Sequence, residues 1–112
     1  MIDSILDSVK LNLGILPEYT AFDQQLLMSI NTAFSVLHQL GIGPKDGYEI
    51  NDNSTTWAKL IPKPRLNMIR SYVFLKVKLL FDPPTTSFLL DAYKQQLQEM
   101  EWRIRSEIEC ST

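Results

Sequence analysis

One cysteine, one histidine, four glycines and no apolar run of membrane-spanning length limit what this 112-residue chain can be. Cys110 has no second cysteine for an internal disulfide, which suits a reducing compartment. His38 stands alone, so no histidine cluster can hold a metal, and it falls beside the polar face of a helix. Cys110 and His38 lie on different predicted helices, without the neighbouring base and orienting carboxylate that a nucleophile needs. Gly14, Gly41, Gly43 and Gly47 do not have the spacing of a phosphate-cradling loop. The first residues lack a basic leader, and no stretch reaches the ~18 apolar residues of a membrane span. These absences predict a soluble chain with no catalytic site, cofactor, metal or membrane contact.

The remaining composition is that of one folded domain, predicted to cover residues 1–112. At 45% hydrophobic and 21% charged residues, the chain is neither disordered nor membranous. A formal charge of −2 argues against a surface that grips nucleic acid all over.

The spacing of apolar residues predicts an all-α fold, a small bundle of about four helices. The first, near 3–13, carries Ile5, Leu6, Val9 and Leu13 and stops at Gly14, a natural left-handed cap. The second, near 21–40, follows a Thr20/Asp23 capping box and closes at Gly41. Phe22, Leu26, Ile30, Ala33, Leu37 and Leu40 form its stripe, widened by Leu27 and Phe34. Gln24, Asn31, Ser35 and Gln39 make its polar face. Residues 41–65 read as an irregular region, with turn signals at Gly43-Pro44 and Asp46-Gly47. Within it, Asp52, Asn53 or Ser54 is placed to cap one helical turn carrying Trp57 and Leu60.

The third helix, near 65–81, is apolar on two sides, one with Leu66, Ile69, Val73, Val77 and Leu80 and the other with Met68, Tyr72, Leu75 and Leu79. Such a helix is central, or else turns one side to a neighbouring subunit. It must end at Phe81-Asp82-Pro83-Pro84, because adjacent prolines lack backbone donors and push the preceding residues out of the α region. Thr85, Thr86 and Ser87 can cap the fourth helix, near 87–108. Leu89, Tyr93, Leu97, Met100, Ile104 and Ile108 form its stripe. At 1.5 Å per residue it spans roughly 33 Å, so its last turns are expected to overhang the bundle and need a partner.

Taken in order, these features are similar to the small head–tail connector (adaptor) proteins of tailed phages, which sit beneath the portal. The likeness is carried by Thr56-Trp57-Ala58-Lys59-Leu60-Ile61-Pro62, by Leu75-Lys76-Val77-Lys78-Leu79-Leu80-Phe81-Asp82-Pro83-Pro84, and by the charged helix through Glu101-Trp102-Arg103-Ile104. It implies a structural virion protein of the neck, made in the host bacterial cytoplasm. It also implies a homo-oligomeric ring, dodecameric in the family, under a portal protein and above a stopper or tail-completion protein. DNA would pass through without sequence-specific binding.

Two candidate surfaces follow. Counting 100° per residue, Trp102 lies opposite the fourth helix's stripe, where its own domain cannot cover it. A portal or subunit interface is therefore expected around Met100, Trp102, Arg103, Ile104, Arg105 and Ile108, with Glu99–Arg103 and Glu101–Arg105 as rim pairs. The second surface is the loop of Trp57, Lys59, Lys63 and Arg65, facing a neighbour or the channel. From Asn53 to Phe81 there are six basic residues and no acid, which leaves five basic and thirteen acidic residues elsewhere. That segregation is open to three explanations: a solvated face, charge complementarity between subunits, or contact with DNA phosphates. The last would make the chain a small helical DNA-binding or regulatory module working through residues 59–78. The Phe81–Pro84 elbow is expected to set the angle between the last two long helices.

Overall fold

The computed structural model describes residues 4–42, 48–61 and 65–111, with side chains as far as Ile108. Five helices follow one another: α1 Ile5–Asn12, α2 Asp23–Gln39, α3 Trp57–Leu60, α4 Leu66–Phe81 and α5 Ser87–Ser111. The protein is all-α, with no strand among the described residues.

Local chemistry accounts for the helix ends. Ser4 caps α1, its hydroxyl accepting the Asp7 N–H at 3.3 Å and donating to the Asn53 carbonyl at 2.8 Å. At the other end Gly14 sits at φ +83°, and the Gly14 and Ile15 amides bond back to Leu11 and Lys10 carbonyls. Gly41, at φ +96°, closes α2 in the same way, its amide reaching His38 and that of Ile42 reaching Leu37. These paired bonds satisfy carbonyls that a helix end would leave bare, and the backbone they need favours glycine.

Two caps differ from the sequence expectation. Phe22, not Thr20, precedes α2 and has no side-chain acceptor to cap it, and the Asp23 carboxylate is taken up by Lys10. Thr56 precedes α3. Asp52 instead accepts the N–H and O–H of Ser54 in a local turn, and those bonds hold its carboxyl below the usual range. At α5 the expected hydroxyl cap is present: Thr86 Oγ1 accepts the Leu89 N–H at 3.4 Å.

α4 is the centre of the bundle and packs against α1, α2 and α5. Its Ile69, Tyr72, Val73 and Val77 are buried, and Leu66, Met68, Phe74, Leu75 and Leu79 pack around them. Both of its apolar sides thus meet the protein's own core, apart from Leu80, which is 46% exposed. The α2 stripe is buried from Leu26 to Leu40, but Phe22 lies outside the helix, its ring between those of Tyr19 and Phe81.

The irregular middle is held to the bundle at several points. The Asn31 side chain bonds both the amide and the carbonyl of Ile50, at 2.8 and 2.9 Å, so this residue is half-buried rather than part of a wet face. The Ile5 amide bonds the Thr55 carbonyl, and the Trp57 indole donates to Ser8 Oγ at 2.8 Å. Ile42, Ile50, Trp57 and Ile61 all enter the core.

α5 does not overhang the bundle. The longest dimension of the molecule is 42 Å, enough to contain a 25-residue helix of roughly 37 Å. Ile104 is 1% exposed, and Ile108 packs on the core beside Gly41. At the start of the helix Phe88 is 81% exposed and Leu89, expected on the inner stripe, 44% exposed. Leu90, one position on, takes the inner place expected for Leu89.

Candidate assembly surface

α5 presents two unlike faces. Tyr93, Leu97, Met100, Ile104 and Ile108 turn inward. Phe88, Gln95 and Trp102 are spaced by sevens, which brings them to nearly the same angle on the opposite side, and all three are exposed. Trp102 is 68% exposed. Of the six residues expected to form this surface, Trp102, Arg103 and Arg105 face solvent. Met100 and Ile108 are half-buried against the core, and Ile104 is fully inside it. Ile104 is therefore a core residue and not available to a partner.

The rim pairs are half as expected. Arg103 bonds Glu99 at 2.6 Å across one turn. Glu101 instead points inward and accepts the Tyr72 hydroxyl at 2.8 Å. Burial, reinforced by the Glu101 carboxylate, pushes the Tyr72 hydroxyl pKa upward. Arg105 is left exposed, and no ion pair among the described residues includes it.

The basic loop is only partly a surface. Trp57 is 1% exposed, because its indole N–H has a buried partner in Ser8 and its ring meets Phe74 edge-on. It belongs to the core and faces neither a neighbour nor a channel. Lys59 is exposed, Arg65 is half-buried and engaged within the chain, and Lys63 lies outside the described residues. Further along the basic window, the Arg70 guanidinium lies 5.8 Å from the Trp57 ring and 5.7 Å from the Phe74 ring. Lys78 pairs with Asp82 at 2.9 Å. A window that looks uniformly cationic in sequence thus turns part of its charge inward and neutralises more, which weakens the case for a phosphate-binding surface.

At the elbow, the Asp82 amide bonds the Lys78 carbonyl, and the Phe81 ring packs edge-on against Phe22 at 5.5 Å. Beside it Gln25, Met28, Ser29, Leu80 and Phe81 line an open groove of about 360 Å³, with Met28 71% exposed. On the other flank of the same α2 turns is a polar cleft of about 310 Å³ whose lining includes Asp7, Asp23, Gln24 and Asp52. Lys10, itself 1% exposed, neutralises Asp23 at 2.8 Å and donates to the Pro17 carbonyl at 2.7 Å. Sequence reading missed this buried lysine; its place among Leu6, Val9 and Leu13 was the available signal. Among the described residues no group of three or more His, Cys, Asp and Glu is arranged to hold a metal ion. No helix of the described residues is long and apolar enough to cross a membrane.

A compact helical bundle whose notable surface is an uncovered helix face carrying two aromatic residues is the form of a protein that works by assembling. The chain matches the family described as phage connector protein over residues 5–111, and it belongs to that family. Its all-α fold agrees with a structural, head–tail connector role in the virion. No curated protein and no solved structure matches it.

Proposed function

We propose that this chain is the adaptor of the connector. Copies join in a ring against the portal vertex, lengthen the DNA channel, and present a platform for a stopper or tail. The observation that carries this reading is the outer face of α5 in a member of the connector family: Trp102 and Phe88 stand out from a helix whose other side already fills the core. A tryptophan is among the residues that most often anchor interfaces, and burying it removes about 200 Å² from water. The formal charge of −2 suits a conduit that DNA must leave as easily as it enters.

Negative-stain images of the purified protein, alone and mixed with a portal, test the reading. Rings, either free or stacked on the portal, are the expected result. Single subunits that leave the portal bare would rule it out, and tight, salt-sensitive binding to duplex DNA would favour a regulator instead.

A further inference from the structure

The chain carries its charge unevenly. Residues 1–52 hold seven acids and two bases, whereas residues 53–112 hold six acids and nine bases. At the surface the exposed charges described on the first half are all acidic, Glu18, Glu49 and Asp52. The second half exposes both signs, with Lys59, Lys94 and Arg105 among its cations and Asp82, Asp91, Glu99 and Glu107 as its acids. No ion pair among the described residues includes Glu18, Glu49, Asp52, Lys59, Lys94 or Arg105.

Two openings flank the first turns of α2. One is the groove where Met28, Leu80 and Phe81 meet Gln25 and Ser29; the other is the cleft where, among the described residues, Asp7 and Asp52 have no ion-pair partner once Lys10 has taken Asp23. An occupant suited to both carries an apolar knob with a positive charge beside it. Trp102 and Arg105 are such a pair: three positions apart on a helix, hence neighbours on its surface, and both exposed. They cannot reach the openings of their own chain. Trp102 points away from the core, and it lies fourteen residues, or roughly 21 Å of rigid helix, beyond Phe88 near the elbow.

Resting on the ring reading above, we propose that the occupant is a second copy. The outer face of α5 lies across the start of α2 in the neighbour, with Trp102 in the Met28–Leu80 groove and Arg105 toward the Asp7 and Asp52 carboxylates. Knob and socket are different surfaces of one chain, so the contact is head-to-tail and each copy keeps one of each for the next, the arrangement a ring requires. The opposite charges set the register, and the indole supplies most of the affinity.

Sedimentation and native mass spectrometry of the full chain at low salt read the association directly. Arg105→Glu and Asp52→Lys should each weaken it by about tenfold or more, and the chain carrying both changes should recover most of the loss. Trp102→Ala should weaken it about 30-fold while helical content by circular dichroism stays unchanged. Where Asp52→Lys disturbs the fold, Asp52→Asn keeps an oxygen for Ser54, removes only the charge, and should weaken association severalfold. A wild-type chain that forms no ring, alone or on a portal, overturns both the adaptor reading and this contact. Rings that form normally in Trp102→Ala, or a double variant no better than either single one, overturn this contact and leave the adaptor reading standing.

Discussion

The Trp57 indole donates a 2.8 Å hydrogen bond to Ser8 Oγ, and that hydroxyl donates in turn to the Ile5 carbonyl at 3.0 Å. The chain ties a residue of the irregular middle to α1 across 49 positions of sequence, within the core. Ser8→Ala removes the acceptor and leaves a buried indole N–H without a partner, which costs about 1–3 kcal/mol. Urea unfolding should show that loss in the midpoint with little change in slope. Ser8→Thr, which keeps an oxygen, should lose less; equal losses would mean that the bond contributes little.

Lys10 and Asp23 are unequal partners, and their variants should differ accordingly. The ammonium is 1% exposed and the carboxylate 26%. Asp23→Ala strands a buried cation with only the Pro17 carbonyl for company, a loss of about 3 kcal/mol. Lys10→Met leaves a carboxylate that water can still reach and replaces the lysine stem with apolar volume, so it should be the milder change. Thermal unfolding of both variants at one pH decides the order.

Gly14 and Gly41 share a left-handed backbone but not their surroundings. A Cβ on Gly14 meets nothing within 4 Å, whereas one on Gly41 comes to 3.2 Å from the Ile108 side chain. Alanine at either position incurs the left-handed penalty of about 1–2 kcal/mol. Gly41→Ala should lose more, because Ile108 must also shift, and the extra loss should disappear in an Ile108→Ala background. Chemical denaturation of the four chains measures that coupling.

The elbow invites a functional test. Alanine favours helix by ~3 kcal/mol over each proline it replaces, so Pro83→Ala with Pro84→Ala should push α4 and α5 toward a common axis. The Thr86 cap, the Lys78–Asp82 pair and the Phe22–Phe81 contact oppose that change. The expected outcome is a soluble helical protein that assembles poorly, measured by head completion in an infection assay. Normal head completion would reduce the elbow to a plain connector.

Where the chain is helical and where it stops were legible in the sequence because those decisions are local. Gly14, Gly41 and the Pro83–Pro84 pair act through their own backbone, and the 3.6-residue period brings apolar side chains onto one stripe whatever lies opposite. The exposure of Trp102 was legible for the same reason, being a matter of angle on a single helix. Which side chains meet across the bundle was not. Trp57 looked like a surface residue of a charged loop until Ser8 and Phe74, distant in sequence, supplied an acceptor and an apolar wall. Asp23 and Glu101 had plausible partners one turn away and chose Lys10 and Tyr72 instead. A carboxylate facing the interior gains more from a partner in that low-dielectric setting than from one in water. Such choices depend on how the helices pack, and only the tertiary structure decided them.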